Sequence, residues 1–216
     1  VLESSDQPFE IHVIGTPSEE SLDGGKNEMA AHGGFDHIDV AFMVHGSTLT
    51  QLETPSLALI EMDVEFHGKT AHAGIAPYAG RSAVDAVTML QTGLGLMRNH
   101  LKDSSRVSNI VLAGGTAVNS VPDFAKVKVE IRHSSMAYLE SVEQWTREIA
   151  QAAAMATQTQ VQITPVAHIY NTTINDAMGA LLMECAEKFA CDGIAPPRKD
   201  CGSAQLLPAG KDHRDR

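Results

Sequence analysis

The sequence predicts an α/β protein whose central part has the ferredoxin-like βαββαβ arrangement, with one antiparallel sheet and two helices on the same face. Three observations lead to this prediction. Apolar and polar residues alternate with period two in several short segments, two segments repeat apolar residues at helical spacing, and the order is strand, helix, strand, strand, helix, strand within about 110 residues. The flanking segments have a different pattern, so we predict three parts: 1–56, 57–167 and 168–216.

The first half of the central part contains a strand, a helix and a second strand. After Leu57, residues 60–67 alternate between apolar and polar side chains, which is typical of a strand with one solvated face. The next segment has the helical pattern Val87, Leu90, Leu94, Met97 and Leu101. Residues 107–113 are predicted to be a strand that ends at Gly114-Gly115.

The second half repeats this pattern. Val127, Val129 and Ile131 alternate with charged residues and predict a half-buried strand. A second amphipathic helix is predicted from the apolar face Val142, Trp145, Ile149, Ala152 and Ala156. A short strand at Val161 and Ile163 completes the order, and we expect the sheet face away from the helices to be polar.

The flanking segments predict pieces of a larger α/β domain. Two apolar runs, Phe9–Ile14 and Val40–Val44, are predicted to be strands, and a helix is expected after Gly24-Gly25. Asn175 is a favourable N-cap for a later helix. The apolar face of that helix would be Met178, Leu181, Leu182, Cys185 and Phe189, with Gly193 as its end.

Composition and charge argue against several classes of function. The chain has 216 residues and a formal net charge of -11, which argues against nucleic acid as a partner. No apolar run approaches the roughly 18 residues of a membrane span, and the first residues lack a signal-peptide pattern. The three cysteines show no paired spacing, which suits a reducing compartment, and we expect a cytoplasmic protein.

Two places in the first flank could carry chemistry. Glu19 and Glu20 follow an apolar run in a Gly/Pro turn, where one carboxylate could bind a metal while the other stays available as a base. His45 closes the run at Val40–Val44 and could be a metal ligand. Taken singly, an acidic pair is more often a solvated loop, and such a histidine is more often structural.

The central part adds three candidates. His72 follows the first strand in a loop rich in small residues, which allows close approach to a ligand. Asn119 lies in the turn before the third strand, and Arg132 lies at the end of that strand. Without a function, these residues would be a surface histidine, a turn-forming asparagine and a solvated arginine. An arginine is also well suited to bind a substrate carboxylate through two hydrogen bonds.

The order and spacing of these residues resemble the zinc amidohydrolase family of aminoacylases and glutamate carboxypeptidases. The resemblance rests on three stretches: Gly-Thr-Pro-Ser-Glu-Glu at 15–20, Phe-His-Gly-Lys-Thr-Ala-His-Ala at 66–73, and Gly-Thr-Ala-x-Asn-x-Val-Pro-Asp at 115–123. The nearest branch contains aminobenzoyl-glutamate hydrolase and β-alanyl-lysine-type dipeptidases. It implies part of a zinc-exopeptidase-type catalytic domain with an inserted dimerisation domain.

The resemblance also implies roles for the candidate residues. Glu19 would be the general base that activates a metal-bound water, and Glu20 and His45 would be ligands of two zinc ions, with manganese or cobalt as alternatives. His72 would reach the active site of the partner in a homodimer formed through 57–167. Asn119 and Arg132 would hold the carbonyl or carboxylate of an N-acyl amino acid or dipeptide, whose amide bond is hydrolysed.

Two departures from the family pattern accompany these matches. The family's first metal-ligand motif precedes the glutamate pair, and nothing before residue 9 supplies it. Gly202-Ser203 match the start of a later motif, but the following residues do not, and His213 cannot be carried over as the last ligand. Since catalytic zinc sites have three protein ligands, we expect this chain alone to be inactive.

Two other hypotheses remain open at this point. The chain could be a non-catalytic dimerisation module or pseudoenzyme that has lost its metal site. It could also be an unrelated α/β protein with fortuitous motifs. Glu19, Glu20 and His45 favour the hydrolase, because a dimerisation module has no physical need for them.

Overall fold

The computed structural model describes residues 8–18, 24–45, 50–52, 55–188 and 194–195. The chain forms two compact units, 1–43 and 44–216, and each is described by itself. The described elements of the first unit consist of one short helix, α1 (Gly25–Ala31). The second unit contains strands and helices in the order β1 (Thr50–Gln51), β2 (Ala58–His67), α2 (Ala83–Met97), β3 (Arg106–Ala113), β4 (Phe124–His133), α3 (Met136–Thr157), β5 (Gln160–Ile169), α4 (Asp176–Lys188) and β6 (Ile194–Ala195).

Four of these strands form one antiparallel sheet in the order β3-β4-β2-β5. The central pair is long, because β2 and β4 stay in register from Ala58 opposite His133 to His67 opposite Phe124. The pairing of β2 with β5 shifts once, between Glu61 and Met62. With α2 and α3 inserted between the strands, this is the βαββαβ arrangement, and the fold prediction for the central part is confirmed.

The core lies between the sheet and the two helices. Strand alternation places one face of β2 and β4 inside, where Ile60, Phe66 and Ile131 are at most 1% exposed. Leu90 and Leu94 of α2 and Leu139 of α3 cover them. Full burial of each such side chain contributes about 1.5–3 kcal/mol, so this layer is the main source of stability.

The two helices begin at serine caps and pack closely against each other. The Ser82 hydroxyl accepts a hydrogen bond from the Asp85 amide, and the Ser135 hydroxyl accepts one from Tyr138. At Gly93 a β-carbon would overlap the side chain of Ile149, so a glycine is required for this approach of α2 to α3.

The predicted inner face of α3 is partly wrong. Val142 is buried as expected, but Trp145 is 38% exposed and Ala152 and Ala156 do not belong to the buried stripe. That stripe instead contains Leu139, Val142, Thr146, Ala150 and Ala153. Thr146 can be buried because its hydroxyl donates to the Val142 carbonyl within the helix.

The two strands predicted in the first flank are also wrong. Neither Phe9–Ile14 nor Val40–Val44 forms a strand, and most of their large side chains are exposed, with Val13 at 96% and Val44 at 98%. A strand is held by hydrogen bonds to a partner strand, and neither run has one within the described residues. The helix expected after Gly24-Gly25 is confirmed as α1.

The segments on either side of the four-stranded sheet meet. β1 and β6 form a two-stranded parallel pair, and Ser56 and Thr172 exchange two hydrogen bonds, each amide donating to the other's hydroxyl at 2.8 and 2.9 Å. Asn175 caps α4 as predicted, since its side-chain oxygen accepts from the Met178 amide.

The predicted inner face of α4 is not buried within the described chain. Leu181 is 52% exposed and Cys185 is exposed, while Phe189 and Gly193 lie outside the described residues. No helix in the described parts of the chain has the length and apolar character needed to cross a bilayer.

Candidate functional site

The candidate residues of the first flank are only partly described by the structure. Glu19 and Glu20 lie outside the described residues, so their predicted roles stay predictions. His45 is described by the structure. It is exposed and follows an irregular segment, whereas the sequence predicted that it ends a buried strand. The expected setting of His45 is therefore wrong, because the run before it is solvent-exposed and pairs with no strand in the described chain.

His72 and Asn119, which are distant in sequence, lie side by side. The Ala73 amide donates to the Asn119 carbonyl at 2.9 Å, and the Val121 amide donates to the Ala71 carbonyl at 2.9 Å. His72 and Ser120 form an isolated antiparallel bridge between these bonds. The two loops thus continue the antiparallel pairing of β2 and β4 beyond the end of the sheet, and we call residues 70–80 and 115–121 the tip.

The His72 ring is oriented by its own loop. The Gly74 amide donates to His72 Nδ1 at 3.1 Å. Since Nδ1 then acts as an acceptor, the neutral imidazole carries its proton on Nε2. The ring can therefore offer an N–H donor to an atom outside the chain.

Close backbone contacts and a left-handed glycine determine the path of the chain into the tip loops. Gly68 lies against Arg81, where a β-carbon would overlap the Arg81 carbonyl oxygen, and the Lys69 and Arg81 backbones exchange two hydrogen bonds of 2.8 Å. Gly115 has a φ of +93°, a conformation that L side chains rarely adopt. Glycine is therefore favoured at both positions.

The tip also exposes large apolar side chains that the sequence did not single out. Val118 is fully exposed at 103%, Tyr78 at 82% and Ile75 at 76%. They lie in loops, where hydrophobic periodicity carries no information. Their proximity in sequence to His72 and Asn119 was the available signal.

Arg132 lies at the opposite end of the sheet. In the β2–β4 register Arg132 is paired with Leu59, near the start of β2. The tip lies beyond the other end of this strand pair, where His67 is opposite Phe124. The strand from Phe124 to Arg132 corresponds to about 26 Å of extended chain. Within one chain, the structure therefore brings His72 and Asn119 together but keeps Arg132 away from both.

The Arg132 guanidinium is held by Glu130. Nε and Nη2 donate to the two carboxylate oxygens at 2.7 and 3.0 Å, and these hydrogen bonds raise the pKa of Arg132 above its usual value. A substrate carboxylate at Arg132 would therefore share the guanidinium with Glu130.

The sheet face away from the helices is polar, as predicted. Lys126 bridges Asp63 and Glu65 at 2.7 and 2.9 Å, and Lys128 donates to Glu61 at 2.7 Å. Hydrogen bonds to these carboxylates raise the pKa of both lysines. The alternating charges of β2 and β4 thus form a cross-strand ladder of ion pairs.

The carboxylate and imidazole chemistry predicted for the metal site suits zinc. Among the residues that the structure describes, however, no three His, Cys, Asp or Glu side chains cluster closely enough to hold a metal ion. Of the two predicted ligands, only His45 is described. The predicted donor set fits zinc in type, and its geometry stays a prediction.

Comparison with known proteins identifies the central part. The profile of a peptidase dimerisation domain matches residues 58–158. A Xaa-Arg dipeptidase of Mus musculus is 32% identical over 189 residues, which cover 87% of this chain and 44% of the mouse protein. One of the p-aminobenzoyl-glutamate hydrolase subunits of Escherichia coli K12 is 32% identical over 183 residues, which cover 82% of this chain and 38% of the bacterial protein.

The chain belongs to the peptidase family that carries this dimerisation domain and includes Xaa-Arg dipeptidase and p-aminobenzoyl-glutamate hydrolase. A crystal structure from this group, an aminobenzoyl-glutamate utilization protein from Klebsiella pneumoniae, superposes with a TM-score of 0.64 at 25% identity. The match covers 81% of this chain and 47% of the Klebsiella protein. The family match and the four-stranded antiparallel sheet confirm the predicted α/β fold class with its dimerisation domain.

The chain spans less than half the length of the curated relatives that it matches. Those relatives are named for hydrolysis of peptide or amide bonds.

Proposed function

We propose that the chain is part of a metal-dependent hydrolase that cleaves the amide or peptide bond of an N-acyl amino acid or a dipeptide. The observation that carries this proposal is that the backbones of His72 and Asn119 lie in adjacent, hydrogen-bonded loops at the exposed tip of a dimerisation domain. The names of the dipeptidase and the p-aminobenzoyl-glutamate hydrolase support the bond type and the substrate class.

In this proposal the tip acts on the active site of a partner chain. His72 Nε2–H would donate to the oxygen on which negative charge develops when water attacks the substrate carbonyl. Asn119 would hold the same part of the substrate through its amide. Support comes from the position of His72 in a loop beyond the sheet and from the Gly74 hydrogen bond that directs the proton to Nε2.

Arg132 and the tip of the same chain would act at two different active sites of the dimer. It lies at the end of the sheet where the chain enters and leaves the domain, near the reciprocal bonds of Ser56 and Thr172. Arg132 would therefore bind a substrate carboxylate in its own chain's site, while the partner's tip completes that site. These same bonds support the division at about 57 and 167.

The proposed metal ligands are Glu20 and His45, and two zinc ions are expected in the complete protein, with manganese or cobalt as alternatives. The metal would supply an acidified water at neutral pH. Glu19 would take the proton of that water as general base, since a carboxylate beside the ligand Glu20 is close enough without being bound itself.

The homodimer would form along β3. The other edge strand, β5, contains Pro165, which lacks an amide hydrogen, and its register with β2 is shifted. Edge strand β3 carries no charge after Arg106, and it exposes Ile110, Val111 and Leu112 at 45–59%. An uncharged apolar edge favours pairing with a second copy.

Two matched substitutions test this dimer. Val111→Lys on β3 should shift the chain to monomers in analytical ultracentrifugation, because it buries a charge between the two copies. Val166→Lys on β5, where the valine is similarly exposed at 38%, should leave the dimer intact. A dimer that survives Val111→Lys but dissociates with Val166→Lys would assign the interface to β5.

Activity is tested in a protein of the relatives' full length that contains this chain. His72→Ala should lower kcat for p-aminobenzoyl-glutamate or a dipeptide by about 100-fold or more, because one oxyanion donor is removed. His100→Ala provides the control, since His100 is exposed beyond the end of α2. Mixing His72→Ala chains with chains lacking Glu19 (Glu19→Ala) should restore part of the activity if the tip acts in the partner's site, and no restoration would contradict that arrangement.

The second candidate function is a non-catalytic dimerisation module. The observation that favours it is that the matched profile, residues 58–158, covers the dimerisation domain and none of the proposed metal ligands. A full-length protein that dimerises through β3 but hydrolyses neither substrate class with zinc would support this alternative.

A further inference from the structure

A cavity of about 410 Å³ lies between the end of α2 and the start of β3, at the opposite end of the domain from the tip. Its polar lining consists of Arg98, Lys102, Asp103, Ser104, Ser105 and Arg106. None of these residues is among the candidate catalytic, metal or substrate residues.

The charge of this cavity opposes that of the chain. Three of its four charged side chains are cationic, whereas the whole chain carries a formal net charge of -11. A cationic concavity on an acidic protein concentrates anions locally, against the repulsion of the remaining surface.

Each of the three cations makes a contact within the fold. Arg106 Nη1 donates to the Ser105 carbonyl at 2.9 Å. Arg98 Nη2 donates to the Val107 carbonyl at 2.8 Å, which uses one of the five N–H groups of the guanidinium. The Lys102 ammonium lies 4.5 Å from the centroid of the Tyr138 ring, and the Lys102 amide donates to the Tyr138 hydroxyl. Binding at these groups would therefore require little further ordering of side chains.

The loop that closes the cavity is a tight turn. The Ser105 amide and hydroxyl both donate to the Lys102 carbonyl, at 3.2 and 2.7 Å. Ser104 has a φ of +71°, a left-handed conformation that is uncommon for serine. Strained residues of this kind persist where the surrounding structure holds them, and they cluster at binding sites.

We propose that this cavity binds a small divalent oxyanion of the phosphate class. Guanidinium and ammonium groups at Arg98, Lys102 and Arg106 donate charge-assisted hydrogen bonds to the oxyanion, and Ser104 can add a hydroxyl. Asp103 is the one group in the lining that opposes an anion. This site is independent of the proposed hydrolase activity, because it shares no residue with it.

The test is titration of the whole chain with inorganic phosphate at constant ionic strength, with sodium chloride as the balancing salt. Isothermal calorimetry should show one saturable site per chain, and phosphate should raise the thermal unfolding temperature, as expected when a ligand binds the folded state. Lys102→Ala should weaken phosphate binding about tenfold, which corresponds to one lost charge-assisted hydrogen bond. Lys69→Ala removes the same charge from an exposed position at the other end of the domain and should leave binding unchanged.

The Asp103→Asn variant should change phosphate affinity in a direction that general loss of structure cannot produce. Removal of the opposing charge should tighten phosphate binding several-fold. The absence of saturable binding to the wild-type chain would overturn the proposal. Equal weakening by Lys102→Ala and Lys69→Ala would also overturn it, since that result indicates attraction to the overall surface charge. Weaker binding to Asp103→Asn would contradict the assignment of an anion to this cavity.

Discussion

At the scale of single residues, the polar face of the sheet depends on lysines that neutralise carboxylates. Glu61 is only 5% exposed, and Lys128 lies 2.7 Å from its Oε1. A carboxylate that is removed from water needs such a partner, because desolvation of an unpaired charge is costly. The alternation of β2 and β4 predicted this polar face, but only their register shows which lysine meets which acid.

Loss of the partner of Glu61 should be destabilising. Lys128→Met should lower the free energy of unfolding by about 2 kcal/mol, because the buried carboxylate loses a charge-assisted hydrogen bond. Urea unfolding followed by circular dichroism measures the change. The double variant Glu61→Met/Lys128→Met should recover most of the loss, and equal destabilisation of the single and double variants would contradict the role of the pair.

The same lysines predict a stability limit at alkaline pH. Their carboxylate partners raise the folded-state pKa of Lys126 and Lys128 above 10.5. The lysines therefore contribute their full stabilisation of the folded state below pH 10.5, where they are protonated in both the folded and the unfolded chain. This stabilisation is lost as pH rises through the folded-state pKa. The urea midpoint should fall as pH rises above 10.5, and the fall should be smaller for Lys126→Met/Lys128→Met than for the wild-type chain.

At the scale of elements, α2 and α3 are held together by complementary small and large residues. Gly93 leaves room for Ile149, whereas a β-carbon at Gly95 of the same helix would meet nothing within 4 Å. Helical periodicity located α2 correctly but could not distinguish these two glycines. It also misplaced the inner face of α3, because the alanines from Ala150 to Ala156 have similar apolar character on every side of the helix.

The two glycines of α2 should respond in opposite directions to the same substitution. Gly93→Ala should destabilise the domain by about 1–3 kcal/mol, because the added methyl overpacks the contact with Ile149. Gly95→Ala should stabilise it by about 0.5–1 kcal/mol through higher helix propensity. Thermal and urea unfolding of both variants measure the difference, and destabilisation by both would show that Gly95 also faces a close neighbour.

At the scale of the whole molecule, the residues that we propose to act on the substrate lie at two separated ends of one domain. The tip carries His72 and Asn119, and the opposite end carries Arg132 and the junctions with the flanking segments. A single chain therefore cannot bring all three residues to one substrate. In the dimer that we propose, the tip of one chain and Arg132 of the other would act together at one site.

The chain by itself should be inactive as a hydrolase. It spans 44% of the mouse Xaa-Arg dipeptidase, and its predicted ligands Glu20 and His45 are fewer than the three that a catalytic zinc ion requires. With zinc added, release of the amino acid from p-aminobenzoyl-glutamate or a dipeptide should not exceed that of a Glu19→Ala variant. Zinc-dependent cleavage above this control would show that other residues complete the site.

The order of the elements in the central part, the N-cap of α4 and the choice of His72 and Asn119 as candidates could all be predicted from the sequence. These follow from local features, because strand alternation, helix periodicity and capping each depend on residues within a few positions of one another. The folded structure was needed to show that His72 and Asn119 are neighbours, that Arg132 is remote from them, and that Phe9–Ile14 and Val40–Val44 are not strands. Each of these depends on pairing between distant segments, and an apolar run has the same sequence pattern whether or not a partner strand is present.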